Sequence, residues 1–233
     1  MSYKDLNFKM QKDFKFLIDS GLKTTSTFLD VGCGRGRLAH AIHYLQNKSY
    51  YGFDKEDYVL SFKKKIKNNS RLYQKKSPQI FKSEMNNFFE NIPSDKYFDF
   101  IYGYSVFTHV TLESKLNFFI NMKKHIHKDT KIYLTFLISK NKCFSGSLHK
   151  DRKNEFNGVW NTEEKIKNFF KNLNFNAQWI GSIEKNWENS LRPENIYRYN
   201  EEVYSPFENG EKTFVGDYGH QDLFYITPMD DKI

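Results

Sequence analysis

The chain is expected to fold as a doubly wound α/β domain, a mostly parallel sheet with helices on both faces. Three observations predict this. Phe28-Leu29-Asp30-Val31 is a short apolar run that enters a turn with glycines at alternating positions, Gly32, Gly34 and Gly36, and a helical pattern follows. A second apolar run, Ser49 to Asp54, ends in an acid about 20 residues beyond that turn. From there strand-like and helix-like segments alternate to the end of the chain.

Taken in order, residues 3–20 have the spacing of an amphipathic helix, with Leu6, Met10, Phe14 and Leu17 on one face and Gly21 beyond its end. The first strand spans 26–31, its helix 35–46 and the second strand 49–54. A helix over 56–68 precedes a third strand near 78–83. Phe98-Asp99-Phe100-Ile101-Tyr102-Gly103 is the fourth strand, a helix follows over 112–127, and Lys131 to Ile138 is the fifth strand. Residues 139–158 are expected as a polar loop. Thr162-Glu163-Glu164-Lys165 then opens a helix to about Leu173 with a capping-type start. Asn176 to Gly181 and Asp222 to Thr227 complete seven strands.

At 233 residues the chain suits one domain with a full core. Its low mean hydropathy of −0.74 and the lack of an apolar run near 18 residues argue against a membrane span. The first residues have no signal-type apolar region, and Cys33 and Cys143 have no metal-ligand spacing, so a reduced, cytoplasmic setting without a metal is expected. The formal charge of +8 raises the prospect of an anionic partner. Lysine is spread through the chain, however, and no run resembles a nucleic-acid-binding module, so nucleic acid is disfavoured.

The turn separates two ligand classes. A dinucleotide fingerprint requires a glycine where Arg37 stands. Asp30-x-Gly32-x-Gly34-x-Gly36 instead resembles the first motif of the class I S-adenosylmethionine-dependent methyltransferases. The resemblance extends to Phe98-Asp99-Phe100-Ile101 and Ser105-Val106-Phe107-Thr108-His109, as in small-molecule and glycan-precursor enzymes of bacteria. It implies a Rossmann-like sheet of seven strands, the last antiparallel, and S-adenosyl-L-methionine as cofactor with S-adenosyl-L-homocysteine as product. The cofactor-binding residues it implies are Asp30, Gly32, Gly34, Gly36, Asp54 with Lys55, Glu84 with Met85, and Tyr104. Asp54 is the ribose ligand and Glu84 the adenine acid in this reading.

The expected domain covers 1–233, with an N-terminal helix in 1–25 and two insertions, 139–160 and 182–221, over the active site. Loops longer than about 12–15 residues in a compact domain are often lids or binding loops. The candidate acceptor-binding residues there are His149, Arg152, Trp187, Arg192, Arg198 and Tyr218. Aromatic rings can stack on a sugar or base, and arginines can fork onto phosphate or carboxylate. His109 and His220 are the candidate catalytic bases, since a histidine titrates near working pH. A neutral hydroxyl acceptor requires such a base and an anionic oxygen does not; the sequence offers both residue sets. The expected activity is transfer of a methyl group to oxygen of a small polar acceptor, a sugar or phosphorylated surface-polysaccharide precursor. The alternatives are an RNA or protein methyltransferase and a non-catalytic binding module of the same fold.

Overall fold

β1 (Phe28–Val31) is buried along its whole length and forms the middle of the sheet. A computed structural model describes residues 13–69, 75–85, 87–138, 144–147, 157–182 and 221–229. β1 pairs in parallel with β2 (Tyr50–Asp54) on one side and β4 (Phe98–Gly103) on the other, and β3 (Gln79–Lys82) pairs in parallel with β2. β4 pairs in parallel with β5 (Ile126–Ile138). β9 (Asp222–Pro228) runs antiparallel to both β5 and β8 (Phe175–Ser182). The main sheet therefore reads β3-β2-β1-β4-β5-β9-β8, seven strands with the last in sequence antiparallel, as expected.

Strand alternation divides the core between two helical layers. Leu29, Val31, Ile132, Leu134 and Phe136 meet α4 (Leu112–Met122) and α5 (Glu163–Asn172) through Phe118, Phe119, Ile166 and Phe170. Phe28, Tyr50, Phe100, Tyr102 and Tyr133 face the other way. They meet α1 (residues 13–19), α2 (Ala39–Tyr44) and α3 (Glu56–Asn69) through Leu17, Ile42, Val59 and Phe62. Thr111 and Thr162 cap α4 and α5 by accepting from the backbone N–H groups of Ser114 and Lys165. α1 ends on Gly21, with Leu22 N–H bonded to the Leu17 carbonyl and Gly21 N–H to that of Ile18, the paired closure of a left-handed C-terminal cap.

Four elements differ from expectation, one of them the helix expected over 112–127, which ends at Met122. The helix expected over 35–46 is confined to Ala39–Tyr44, because the glycine turn keeps left-handed backbone as far as Gly36. β5 begins at Ile126 rather than Lys131. Its polar start, His127 to Asp129, hid the strand, and Thr130 ties it to β4 by donating from Oγ1 to the Phe98 carbonyl at 2.7 Å. The stretch expected as a polar loop contains β6 (Phe144–Ser147), and β7 (Asn157–Asn161) begins at its end. These two pair antiparallel, and β7 joins the end of β5 in parallel at Leu137 and Ile138. Residues 1–12, which hold Leu6 and Met10, and most of the second insertion lie outside the described residues.

Candidate active site

The register brings the chemistry to one edge of the sheet. Val31 pairs with Phe53 and Gly103, so the glycine turn after β1, Asp54 at the end of β2 with Lys55 beyond it, and Tyr104 to His109 after β4 leave the sheet together. Ser83 to Met85 join them, since Asp54 pairs with Lys82 and the Ser83 N–H donates to the Asp54 carbonyl at 3.1 Å. In open parallel sheets this carboxyl edge is where ligands bind.

The Asp54 carboxylate spans the turn. Its Oδ2 accepts from the Gly34 N–H at 2.8 Å and its Oδ1 from the Lys55 N–H at 2.7 Å. Partial burial pushes the carboxyl up from its ordinary range, the two backbone donors pull it back, and nearby Glu84 pushes it up. Gly34 holds φ +55°, and a Cβ built on it would meet nothing within 4 Å. Open space beside a backbone N–H and a carboxylate is a cradle that a side chain would fill. A ribose diol placed there has an acceptor in Asp54, so these residues fit the adenosine moiety of the expected cofactor. Glu84 is exposed beside Asp54, whereas Met85 is buried in the core among the residues packed with Phe88.

Asp30 lies beneath the turn, only 4% exposed, and its carboxylate accepts from the Tyr50 hydroxyl. Burial pushes its carboxyl up to about 7, against the pull of the Tyr50 hydrogen bond. It supports the turn from below, because β1 directs it toward the face covered by α1 to α3.

A second ionic group there left no signal in the sequence. Asp13 of α1 is fully buried, pairs with the Arg37 guanidinium and accepts from the Tyr102 hydroxyl at 3.0 Å. The same guanidinium lies 3.6 Å from the centre of the Tyr104 ring. Tyr104, expected at the cofactor, is thus half-buried against the residue that follows the last glycine. Lys65 of α3 donates to the Gly36 carbonyl at 3.2 Å and holds the turn from a third side. Only spatial proximity of residues 24 or more positions apart reveals these contacts.

After β4 the chain turns sharply at Ser105, which holds φ +61°. His109 follows, half-buried, with its N–H donating to the Val106 carbonyl at 3.1 Å. Val159 N–H of β7 donates to the Thr108 carbonyl at 2.8 Å, so β7 lies beside the turn that carries His109. His149, Arg152, Trp187, Arg192, Arg198, Tyr218 and His220 lie outside the described residues. Among the described residues no cluster of three or more histidine, cysteine, aspartate or glutamate side chains is arranged for a metal.

A parallel sheet with one antiparallel strand, a glycine turn at its carboxyl edge and an acid at the end of β2 define a Rossmann-like nucleoside-binding protein. A family model described as a methyltransferase domain matches residues 22–161, more than half of the chain, and the chain belongs to that family. No curated protein matches it in sequence. Its fold is similar to that of the glycopeptide N-methyltransferase MtfA complexed with S-adenosyl-L-methionine, at 10% identity over 94% of each chain and a TM-score of 0.60. An S-adenosylmethionine-dependent methyltransferase from Clostridium acetobutylicum ATCC 824 is similar at 12% identity over 98% of this chain and 93% of that one, with a TM-score of 0.58. Magnesium protoporphyrin IX methyltransferase (ChlM) from Synechocystis PCC 6803 with bound SAM is similar at 11% identity over 97% of this chain and 78% of that one, with a TM-score of 0.55. At these identities the likeness establishes the fold. Two of the three structures hold S-adenosylmethionine, the ligand expected here from the glycine turn. Among the described residues no helix is long and apolar enough to cross a membrane.

Proposed function

We propose that the chain transfers a methyl group from S-adenosyl-L-methionine to an oxygen of a small polar acceptor, with a sugar or phosphorylated sugar as the favoured class. The observation that carries the cofactor half is the Asp54 carboxylate bonded to the Gly34 N–H beside open space. When bound, the cofactor supplies an electrophilic methyl on a sulfonium, and displacement at that carbon proceeds in line. Asp54 would accept from the ribose hydroxyls, Lys55 and Glu56 would flank the adenosine, Glu84 would meet the adenine amino group, and the glycine turn would let the backbone approach. Charge-assisted hydrogen bonds of this kind contribute on the order of 1.5–3 kcal/mol each. Holding the two reactants in line supplies on the order of 7–11 kcal/mol, so alignment and exclusion of water are most of the protein's task.

His109 is the candidate base for a neutral hydroxyl, because it leaves the sheet at the same edge and is half-buried. His220 is the second candidate. For an anionic oxygen the arginines and aromatic residues of the insertions take over, with Arg152, Arg192 and Arg198 fixing the acceptor and Trp187 and Tyr218 stacking on it. Release of S-adenosylhomocysteine from S-adenosylmethionine in the presence of sugar nucleotides, phosphorylated sugars and amines tests this reading. Turnover on a hydroxyl that falls about 100-fold or more in His109→Gln supports base catalysis. Turnover on amines alone would shift the assignment to nitrogen, the acceptor type of MtfA, whose name records N-methylation.

A further inference from the structure

Ser105 pays for its left-handed backbone with a closed ring of three hydrogen bonds. Its N–H donates to Thr135 Oγ1 at 2.8 Å, the Thr135 hydroxyl donates to Gln221 Oε1, and Gln221 Nε2 donates to Ser105 Oγ at 2.7 Å. The three residues come from the turn after β4, the body of β5 and the residue before β9. Thr135 is fully buried and Gln221 is 8% exposed. Left-handed backbone at a residue other than glycine is disfavoured by roughly tenfold or more, so the turn at φ +61° needs such a restraint.

The residues on either side of Ser105 explain what the turn is for. Val106 packs so closely on the glycine turn that a Cβ on Gly32 would lie 2.2 Å from its Cγ2. Tyr104 lies under the guanidinium of Arg37, which follows Gly36. The reversal at Ser105 is therefore flanked by one residue packed on the first glycine of the turn and one packed on the residue that follows its last glycine. Restraint of Ser105 is restraint of the cofactor cradle.

We propose that Thr135 and Gln221 are positioning residues of the cofactor site, holding the chain after β4 in the reversal that braces the glycine turn. The proposal rests on the reading of that turn as an S-adenosylmethionine site. It assigns a role to the residue that precedes β9, distant in sequence from every motif that identifies the site.

Calorimetric titration of S-adenosylhomocysteine tests it, with each variant checked for fold by circular dichroism and thermal unfolding. Gln221→Ala is expected to bind about tenfold more weakly than wild type. The double variant Ser105→Gly with Gln221→Ala is expected to return to within about threefold, because glycine adopts positive φ without the restraint. A general packing role for Gln221 would not be rescued in this way. Thr135→Val, close in shape and favourable in a strand, opens the ring independently, carries the same expected weakening, and substitutes for Gln221→Ala if that variant does not fold. Wild-type affinity in Gln221→Ala and Thr135→Val, or a double variant no better than the single one, would overturn the proposal. Failure of folded wild-type protein to bind overturns the underlying cofactor reading, and the proposal with it.

Discussion

The Gly34 N–H donates to Asp54 Oδ2 across 2.8 Å, tying the turn after β1 to the end of β2. One glycine with open space above it and one carboxylate at a strand end thereby form a single hydrogen-bonded unit. The other two glycines do different work, since Gly32 and Gly36 lie against Val106 and Phe62.

That difference predicts unequal outcomes for two similar substitutions. Gly34→Ala places its methyl in open space at φ +55°, and should cost about 1–2 kcal/mol of stability while weakening S-adenosylhomocysteine binding tenfold or more. Gly36→Ala combines φ +83° with a Cβ 2.3 Å from Phe62 Cε2, and overpacking there should add about 1–3 kcal/mol to the backbone strain. Thermal unfolding and calorimetry on both variants check the contrast. Equal losses of stability would contradict it.

Asp30 predicts a pH dependence. Its carboxyl is raised to about 7 in the folded chain from 3.8, so folding favours the protonated form. Its contribution is fully present below pH 3.8 and is lost as pH rises to about 7, beyond which it changes no further. Asp30→Asn keeps an acceptor for the Tyr50 hydroxyl and removes the titration. The variant should gain on wild type by roughly 2–3 kcal/mol between pH 5 and pH 8, read as a widening gap in unfolding midpoints. A constant gap would contradict the assignment.

The buried Asp13–Arg37 pair predicts non-additivity. Arg37→Met alone leaves a carboxylate buried without its cation, which costs about 3–5 kcal/mol. Adding Asp13→Asn removes that charge and keeps an acceptor for the Tyr102 hydroxyl. The double variant should therefore be more stable than Arg37→Met by about 2 kcal/mol or more in denaturant unfolding. A double variant less stable than either single one would show that charge is not what the pair contributes.

The central sheet was legible because burial on both faces leaves near-continuous apolar runs, as in Phe28–Val31 and Tyr50–Asp54. The glycine turn was legible because left-handed backbone demands a particular residue. Asp54 was legible from its distance to the turn. What escaped lacks such local demands. β6 contains Ser145, Gly146 and Ser147 and has no apolar alternation, so its pairing with β7 left no periodicity to detect. Asp13, Thr135 and Gln221 matter through partners 24 to 116 positions away, and no spacing rule reaches that far. Asp30 shows the opposite case: the motif singled it out, and its carboxylate proves to be committed to Tyr50 beneath the turn.

The most direct measurement is calorimetric titration of S-adenosylhomocysteine into the purified protein with Asp54→Ala alongside. The account predicts micromolar binding to wild type and about 10- to 100-fold weaker binding to the variant, the loss that charge-assisted hydrogen bonds to the ribose imply. No binding to folded wild-type protein, or equal affinity in the two proteins, would contradict it.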